Sequence, residues 1–444
     1  MSEILFNHVP LRSLSSSAIR NGAGEKGLDY DPSEIRYVRT TDIAGPRTLK
    51  QSAKRSIPRV VGERYRLEVG DLLMTAAGAT IGKSYLHEID TEDCCFAGFL
   101  VRAQPKSRLL GRYLSHWSQS SHFYDQVWSG AVISTIPNFS ASRYRSLQVP
   151  LPATDVDLEL IVRYLDHAEM RIAKAIASKN NLLASLLEMR RVRIAAGILG
   201  PDTSVRVHSG LPFEVPSSWR IEPFWSVAPE VSISGHPEKE LLSVYLDRGV
   251  IRYSESGGQV HKPSLDLTSY QLVRPHDLVL NNQQAWRGSV GVSLHEGIIS
   301  PAYVVCRLDD RFDTEYANLL FRSPVMVSQF ELASRGVGSI QRQLHRPSLR
   351  ILRVPIPPRP EQERIASQLT EETREVDAAV ESLRDEIALL KEYRMRLISD
   401  VVTGKLDVRA EAANLPDVDP LELAAVLAGG TASTDEEEGA DGDD

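Results

Sequence analysis

A long helical unit occurs twice in this chain, and the duplication constrains the fold more than any other feature of the sequence. Residues 149–200 and 354–404 align at a shift of 204 positions, with one residue inserted in the first copy. Apolar residues recur at steps of 4, 7, 4, 7 and 3, which is the spacing of one apolar stripe along a helix. The stripe comprises Ile161, Leu165, Ile172, Ile176, Leu183 and Leu186 in the first copy, and Ile365, Leu369, Val376, Val380, Ile387 and Leu390 in the second.

Prolines precede both units and glycines follow them. Proline is tolerated only in the first turn of a helix, so Pro150–Pro152 and Pro355–Pro360 mark two helix starts. Gly200 and Gly404 mark the ends. Each helix should be about 60 Å long at about 1.5 Å per residue. A long helix with a single apolar stripe needs a partner, and we predict that the two copies form an antiparallel coiled coil.

The segments that precede the helices also correspond, with Asp71 aligned to Asp277 and Tyr113 to Tyr316. In both segments short β-rich runs alternate with helical stretches, which is typical of α+β domains. The predicted fold class is therefore α+β, with two pseudo-twofold-related modules separated by the coiled coil. The predicted boundaries are a first module over 1–150, a spacer helix over 151–200, a second module over 201–357, a spacer helix over 358–405 and an acidic tail over 406–444.

The net charge of −8 is concentrated in the tail. Residues 410–444 contain 11 acidic and no basic residues. The rest of the chain therefore has 48 of the 59 acidic residues and all 51 basic residues. We expect this tail to be disordered. It either aids solubility or competes with DNA phosphates for a basic surface. The three cysteines have no metal-ligand spacing, and no signal peptide or membrane-spanning run is visible, so a cytoplasmic protein is expected.

Several motifs, taken in order, resemble one known family. They are Pro357-Pro-Arg-Pro-Glu-Gln-Glu-Arg-Ile365, the run from Leu390 to Lys405 that closes the second helix, Leu211-Pro with Val215-Pro-Ser-Ser-Trp219, and Gly70-Asp-Leu-Leu followed by Gly78-Ala-Thr-Ile-Gly-Lys-Ser84. Their order and duplication resemble the specificity subunits of type I restriction-modification enzymes over residues 1–405. The first helix copy is less typical of the family, and the acidic tail is extra.

The resemblance implies a non-catalytic DNA-binding subunit of a phage-defence system. Each module would read one half of a split double-stranded DNA target. The helices would set the gap between the halves and dock two methyltransferase subunits. S-adenosylmethionine, ATP and magnesium would serve those subunits and the translocase-nuclease subunits of systems that cut DNA. The resemblance implies no cofactor, metal or catalytic residue in this chain.

Two other readings compete with this one. A duplicated coiled-coil chain could be a protein-interaction scaffold without DNA specificity. Alternatively, Ala77–Ser84 is close to a Walker A loop, in which backbone N–H groups and Lys83 would hold phosphates. The first glycine of that motif is replaced by Ala77, and no adenine-methyltransferase motif is present.

Reading bases requires amide and guanidinium groups on loops, because Asn or Gln pairs with adenine and Arg with guanine. The basic loop 47–55 is expected to touch phosphates, which positions a protein without specifying a sequence. The predicted DNA contacts are Arg39, Thr41, Arg47, Lys50, Lys54, Arg55 and Lys83 in the first module, and Asn282, Gln283, Gln284, Arg287, Arg335, Gln341 and Arg342 in the second. The predicted partner-docking residues are Arg190, Arg193, Glu392 and Arg394, with solvated or ion-paired faces as the alternative. Trp117 and Trp219 are predicted to be core residues.

Overall fold

The computed structural model describes residues 5–428 apart from 79, 90–91, 132–136, 201–205, 208–212, 247, 256–263, 265 and 338–340. The chain divides into two compact units. Within the described residues, unit 1 consists of the chain up to Asn181 together with the segment that begins at Arg384, and unit 2 consists of Leu182–Leu383. Each unit contains one α+β module and a part of both long helices, so the predicted fold class is confirmed. None of the described helices is long and apolar enough to span a membrane.

The module of unit 1 is built on two four-stranded sheets. Their strand orders are β10-β4-β7-β3 and β2-β11-β8-β9, and β1 pairs with β12 across the module. Trp117 is fully buried, as predicted. The elements are β1 (Phe6–Pro10), α1 (Leu11–Leu14), β2 (Arg20–Asn21), β3 (Leu28–Asp29), β4 (Ile35–Val38), β5 (Ile43–Gly45), β6 (Thr48–Leu49), β7 (Arg55–Ile57), α2 (Arg59–Gly62), β8 (Asp71–Thr75), β9 (Ser84–His87), β10 (Cys94–Phe96), β11 (Leu100–Ala103), α3 (Arg108–Trp117), α4 (Ser121–Gly130), α5 (Ala141–Ser146) and β12 (Gln148–Pro152).

The module of unit 2 contains a four-stranded sheet with the order β16-β23-β20-β21, and several two-stranded pairs, among them β24 with β25. Trp219 is buried, as predicted. The elements are β13 (Arg206–Val207), β14 (Val215–Pro216), β15 (Arg220–Pro223), α7 (Phe224–Val227), β16 (Glu230–Val231), β17 (Leu242–Tyr245), β18 (Gly249–Arg252), β19 (Gln271–Val273), β20 (Asp277–Asn281), β21 (Val290–Val292), β22 (Gly297–Ile299), β23 (Tyr303–Arg307), α8 (Thr314–Arg322), α9 (Pro324–Leu332), β24 (Ser334–Val337), β25 (Gln341–Leu344), α10 (Arg346–Ile351) and β26 (Arg353–Ile356).

The central strands β8 and β20 begin with the same hydrogen-bonded aspartate. Asp71 accepts a hydrogen bond from the backbone N–H of Glu68 at 2.9 Å, and Asp277 accepts one from Arg274 at 2.8 Å. Each buried carboxylate also pairs with an arginine of the neighbouring strand, at 3.4 Å for Arg102 and 2.6 Å for Arg307. A buried carboxylate requires such partners. The alignment of Asp71 with Asp277 therefore reflects a duplicated structure.

The two predicted spacer helices are α6 (Asp155–Gly197) and α11 (Arg359–Val402). Their ion pairs show that they pack antiparallel. As the residue number of the partner on α6 increases, the residue number of the partner on α11 decreases. The pairs are Glu169 with Arg394, Lys179 with Glu386 and Arg190 with Asp377. The predicted stripe forms the seam. Most of its residues are buried, whereas Leu183, Leu186 and Leu390 are only half-buried.

Each unit also fixes the end of one long helix in the same way. In unit 2 the Tyr316 hydroxyl donates to the Ile198 carbonyl near the end of α6, at 3.4 Å. In unit 1 the Tyr113 hydroxyl lies 3.3 Å from the Val402 carbonyl at the end of α11. Gly200 (φ +77°) and Gly404 (φ +75°) follow the helices. A Cβ at Gly200 would crowd the ring of Trp219, and a Cβ at Gly404 would clash with the ring of Phe6. The two units thus have the same arrangement of tyrosine, helix end and glycine, which involves α6 in unit 2 and α11 in unit 1.

The prediction that residues 406–444 are a disordered tail is wrong for 406–428. This segment contains α12 (Arg409–Ala412) and a C-terminal helix over residues 420–428. Leu423 and Leu427 are buried against α6, where they form a cluster with Met170 and Ala173. Although this segment is acidic, its helix has a short apolar stripe that packs against α6. Residues 429–444 lie outside the described residues.

Candidate nucleic-acid interface

In unit 2 the structure brings two predicted DNA-contacting segments together. The loop 282–288 follows the central strand β20, and the hairpin of β24 and β25 follows α9. The backbone N–H of Leu344 donates to the carbonyl of Asn282 at 3.0 Å, which joins the hairpin to the loop. The amides of the loop and the arginines of the hairpin therefore belong to one surface.

Trp286 is the centre of this surface. The guanidinium carbon of Arg287 lies 5.5 Å from the centroid of its indole ring, and that of Arg342 lies 5.0 Å away. These are cation–π distances. The indole N–H donates to the Gln283 carbonyl at 2.8 Å, and Arg342 also pairs with Glu331 at 3.1 Å. One aromatic ring thus holds two of the predicted DNA-contacting arginines side by side.

The amide residues of the loop have different roles. The side-chain oxygen of Asn281 accepts hydrogen bonds from the N–H groups of Gln283 and Gln284, at 3.0 and 3.2 Å, and so shapes the turn. The side-chain amides of Asn282 and Gln284 are half-buried and make no hydrogen bond to any other described residue. An amide without an internal partner is available to pair with a base edge.

The other predicted residues of this surface lie on the hairpin. Arg335 is exposed on β24, where it pairs across the strands with Gln343. Gln341 begins β25 opposite Val337, and only its backbone is described. Both positions remain predicted DNA contacts.

Unit 1 has the same junction. The backbone N–H of Phe139 donates to the Ala76 carbonyl at 2.8 Å, at the positions that correspond to Leu344 and Asn282. The N–H of Gly78 donates to the Pro137 carbonyl at 3.0 Å. The loop 76–83, which contains Lys83, is therefore the counterpart of the loop 282–288. Lys83 itself is half-buried.

The loop 76–83 is not a Walker A loop. Two of its backbone N–H groups are used within the turn: Ile81 donates to the Gly78 carbonyl at 3.2 Å, and Lys83 donates to that of Thr80 at 2.9 Å. A strand, β9, follows the loop, whereas a phosphate-binding loop leads into a helix whose N-terminus faces the phosphate. These two differences argue against the nucleotide-binding reading.

The basic segment 39–55 of unit 1 is largely ion-paired. Arg39 makes two bonds to Asp42, at 2.8 and 3.0 Å. Lys54 lies 3.1 Å from Glu92 and 5.3 Å from the Tyr30 ring centroid. The remaining predicted residues are Arg55, which pairs with Asp29, Lys50, which is half-buried, and Thr41, which is exposed. All five remain predicted contacts, and carboxylates already balance the charges of Arg39, Lys54 and Arg55.

The prediction that Arg47 contacts DNA is wrong. Its side chain is completely buried, and its guanidinium lies 2.6 Å from Asp166 of α6 and 2.7 Å from Glu88. Burial alone would raise the pKa of Asp166, but Arg47, His116 and Arg112 outweigh burial and hold that pKa well below its usual value. Arg47 therefore attaches the loop between β5 and β6 to the long helix.

Arg47 belongs to a buried ion cluster. His116 lies between two carboxylates of α6, with its Nε2 2.9 Å from Asp166 and its Nδ1 3.5 Å from Glu169. These three side chains could bind a metal ion by donor type. However, the positive charge facing them comes from guanidinium groups: Arg47 and Arg112 bind Asp166, and Arg394 binds Glu169 at 2.6 Å. The cluster acts as an ion-pair network that joins α3, α6 and α11.

Two of the four predicted docking residues, Arg190 and Arg394, are ion-paired, and docking at all four stays a prediction. Arg190 lies 2.5 Å from Asp377, Arg193 donates to the Glu372 carbonyl at 2.8 Å, and Arg394 belongs to the buried cluster. Glu392 is exposed, and docking there remains a prediction. A set of exposed apolar side chains that the coiled-coil seam does not use was not predicted from the sequence. They are Leu182, Met189 and Val192 on α6, and Leu389, Tyr393 and Met395 on α11.

No protein-family model and no curated protein matches the chain. Solved structures do match it. One comes from a study of the "structural basis underlying complex assembly and conformational transition of the type I R-M system". It is 15% identical with a TM-score of 0.52, over 91% of this chain and 100% of that chain.

Two further matches are the HsdS subunit from Thermoanaerobacter tengcongensis and the type I restriction-modification S subunit from M. genitalium. The first is 15% identical over 90% of this chain and 97% of its own, and the second is 10% identical over 94% and 98%. Both have TM-scores of 0.37. The first match, at 15% identity, establishes the fold alone, and at that level the resemblance predicted from the sequence is confirmed.

Proposed function

We propose that this chain is the DNA-specificity subunit of a type I restriction-modification complex, and that each module reads one half of a split target. The observation that carries the proposal is the junction found in both units. In each, the loop after the central strand is hydrogen-bonded to the segment that follows the second of two short helices. A duplicated loop on a duplicated scaffold suits a target with two halves.

The chemistry of the unit 2 surface supports DNA as the ligand. Arg287 is exposed beside Trp286, and the amides of Asn282 and Gln284 lack hydrogen-bond partners among the described residues. Guanidinium groups bind phosphates and guanine, and free amides bind adenine. A protein-interaction scaffold would need no such combination on a loop.

The long helices would serve as spacer and docking platform. Each of them runs from one unit into the other, so their length fixes how much helix links the two modules. Met189 and Tyr393 occupy equivalent positions on the two helices, and both are about half exposed, at 46% and 54%. Exposed apolar side chains at equivalent positions suit two copies of one partner. We propose that methyltransferase subunits dock there and supply the S-adenosylmethionine chemistry.

We expect that Asn282→Ala and Gln284→Ala each weaken binding to the cognate duplex while binding to unrelated DNA stays unchanged. A lost base contact costs about 1–3 kcal/mol, or roughly 5- to 150-fold in affinity. Arg287→Ala should weaken binding to all sequences and reduce the dependence of log affinity on log salt by about one. The measurement is fluorescence anisotropy of labelled duplexes with the assembled complex at several salt concentrations.

Gln368→Ala is the matched control, because this amide is exposed on α11, is bonded to Glu372, and belongs neither to the loop nor to the hairpin. It should bind like the wild type. If the wild-type protein showed no affinity for DNA, or an affinity independent of salt, the scaffold reading would replace the proposal.

A further inference from the structure

Arg342 is held on two sides within the unit 2 surface. Its guanidinium carbon lies 5.0 Å from the centroid of the Trp286 ring, and its Nη1 donates to a carboxylate oxygen of Glu331 at 3.1 Å. Arginine stacks on aromatic faces and pairs with carboxylates in defined geometries, so these two contacts restrict how the guanidinium can turn. Arg287 is exposed, lies 5.5 Å from the same ring and has no carboxylate partner among the described residues. The two arginines are therefore held to different degrees.

Arg342 and its two neighbours come from elements that backbone hydrogen bonds join together. Trp286 belongs to the loop after β20, Glu331 to α9 and Arg342 to β25. The hairpin that contains β25 is bonded to the loop, and the backbone N–H of His345 donates to the Ala333 carbonyl directly after α9 at 2.8 Å. The fold itself thus places the ring and the carboxylate around the arginine.

Two donor nitrogens of Arg342 remain available for a ligand. The pair with Glu331 uses Nη1, whereas Nε and Nη2 make no hydrogen bond to any described residue, and the side chain is 32% exposed. Nε and Nη2 lie on one edge of the planar guanidinium. Two donors on one edge match O6 and N7 of guanine in the major groove. A guanidinium with a restricted plane and one open edge is suited to a base, because such pairing requires a definite direction.

The carboxylate of Glu331 also reduces the attraction of Arg342 for the DNA backbone. Non-specific affinity comes from positive charges that neutralise phosphates, and Glu331 already balances the charge of Arg342. The Glu331 side chain is 52% exposed, so it would repel a phosphate placed nearby. Arg287 has no such neighbour among the described residues. The surface thus contains one arginine suited to a phosphate and one suited to a base.

We propose that Arg342 reads a guanine in the half-target bound by unit 2, and that Trp286 and Glu331 are its positioning residues. Arg287 contacts a phosphate instead. The inference rests on the proposed function, because it requires that this surface binds DNA. It adds the base, the residue that recognises it and the two residues that orient that side chain. It also requires that the half-target of unit 2 contains a G·C pair.

Replacing single guanines of that half-target with 7-deazaguanine tests the contact. This base lacks the N7 acceptor but leaves base pairing and the DNA backbone unchanged. With the substitution at one position, the assembled complex should bind the duplex roughly tenfold more weakly than the natural duplex. Arg342→Ala should weaken binding to the natural duplex about 5- to 150-fold. It should also remove the penalty at that position, so that both duplexes bind equally. Competition fluorescence anisotropy measures these affinities.

The same 7-deazaguanine penalty reports on the orientation of Arg342. Trp286→Leu removes the aromatic face and should abolish most of the penalty, whereas Trp286→Phe keeps an aromatic face and should retain most of it. Glu331→Gln removes the ion pair and should also reduce the penalty. This variant should strengthen binding to unrelated DNA, because the charge of Arg342 is then available to phosphates.

Glu230→Gln is the matched control, because it breaks an arginine–glutamate pair of the same length, 3.1 Å, with Arg346. It should leave the penalty at the wild-type value. The inference would be overturned by a half-target without a G·C pair, by the absence of a penalty at every guanine in the wild type, or by a penalty that persists unchanged in Arg342→Ala. A penalty unchanged in both Trp286→Leu and Glu331→Gln would overturn their positioning role. A wild-type complex that binds its target no better than unrelated DNA would instead contradict the proposed function, and the reading of guanine would fall with it.

Discussion

Replacing Arg47 with alanine is expected to lower the free energy of unfolding of unit 1 by about 3–5 kcal/mol. The guanidinium is completely buried and bridges Asp166 and Glu88. Its removal leaves two carboxylates with too little positive charge, and Asp166 has no access to water. Denaturant titration monitored by hydrogen exchange of unit 1 peptides measures the change.

Two control variants make this prediction specific. Arg55→Ala removes another arginine from the same basic segment, but its ion pair with Asp29 is exposed, so we expect a loss below about 1 kcal/mol. Arg47→Lys keeps the charge but cannot bind two carboxylates in the planar geometry of a guanidinium, so it should fall between the alanine variant and the wild type. Equal stability of Arg47→Ala and Arg55→Ala would contradict the structural role of Arg47.

Lengthening both long helices by one turn is expected to abolish recognition of the natural target. Four residues inserted after Asn181 in α6 and after Leu383 in α11, where the division between the units crosses each helix, add about 6 Å to both. At about 3.4 Å per base pair, the target should gain one or two pairs between its halves. Affinity for the natural target should fall toward the non-specific level, roughly 1,000-fold or more.

The same variant should recover specific binding on duplexes whose gap is one or two pairs longer, with both half-sites unchanged. Electrophoretic mobility assays on a series of gap lengths measure this. Leu182→Ala combined with Arg384→Ala alters the same helical turns without lengthening them, and should keep the natural gap. A changed half-site sequence at an unaltered gap would contradict the spacer role of the helices.

The fold could be predicted from the sequence because its main signal is repeated. The apolar stripe that begins at Ile161 and Ile365 needs a partner of the same length, and the chain contains only one such partner. The helix bounds followed from prolines and glycines, whose backbone restrictions are local. The α+β modules followed from the aligned runs around Asp71 and Asp277.

The role of Arg47 could not be predicted in the same way. Its partner Asp166 is 119 residues further along the chain, and in the sequence Arg47 looks like any other basic residue of a surface loop. The junction of the loop 282–288 with the β24–β25 hairpin likewise depends on the arrangement of the strands in space. The sequence indicated both segments, but not that Arg342 and Arg287 share one tryptophan.

The C-terminal segment shows the limit of an argument from composition. A net negative charge predicted disorder, but the helix over residues 420–428 needs only Leu423 and Leu427 on one side to pack on α6. The exposed apolar residues Met189 and Tyr393 were missed for a related reason. They lie off the coiled-coil stripe, so the periodicity that predicted the helices gave them no role.

The most direct test of the central claim is to map DNA methylation by single-molecule sequencing in a host that carries this gene together with its methyltransferase gene. We expect a split motif with adenine methylation in both halves, and we expect it to disappear when this gene alone is deleted. An unchanged methylation pattern after deletion, with the gene shown to be expressed beforehand, would contradict the assignment of this chain as the subunit that selects the target.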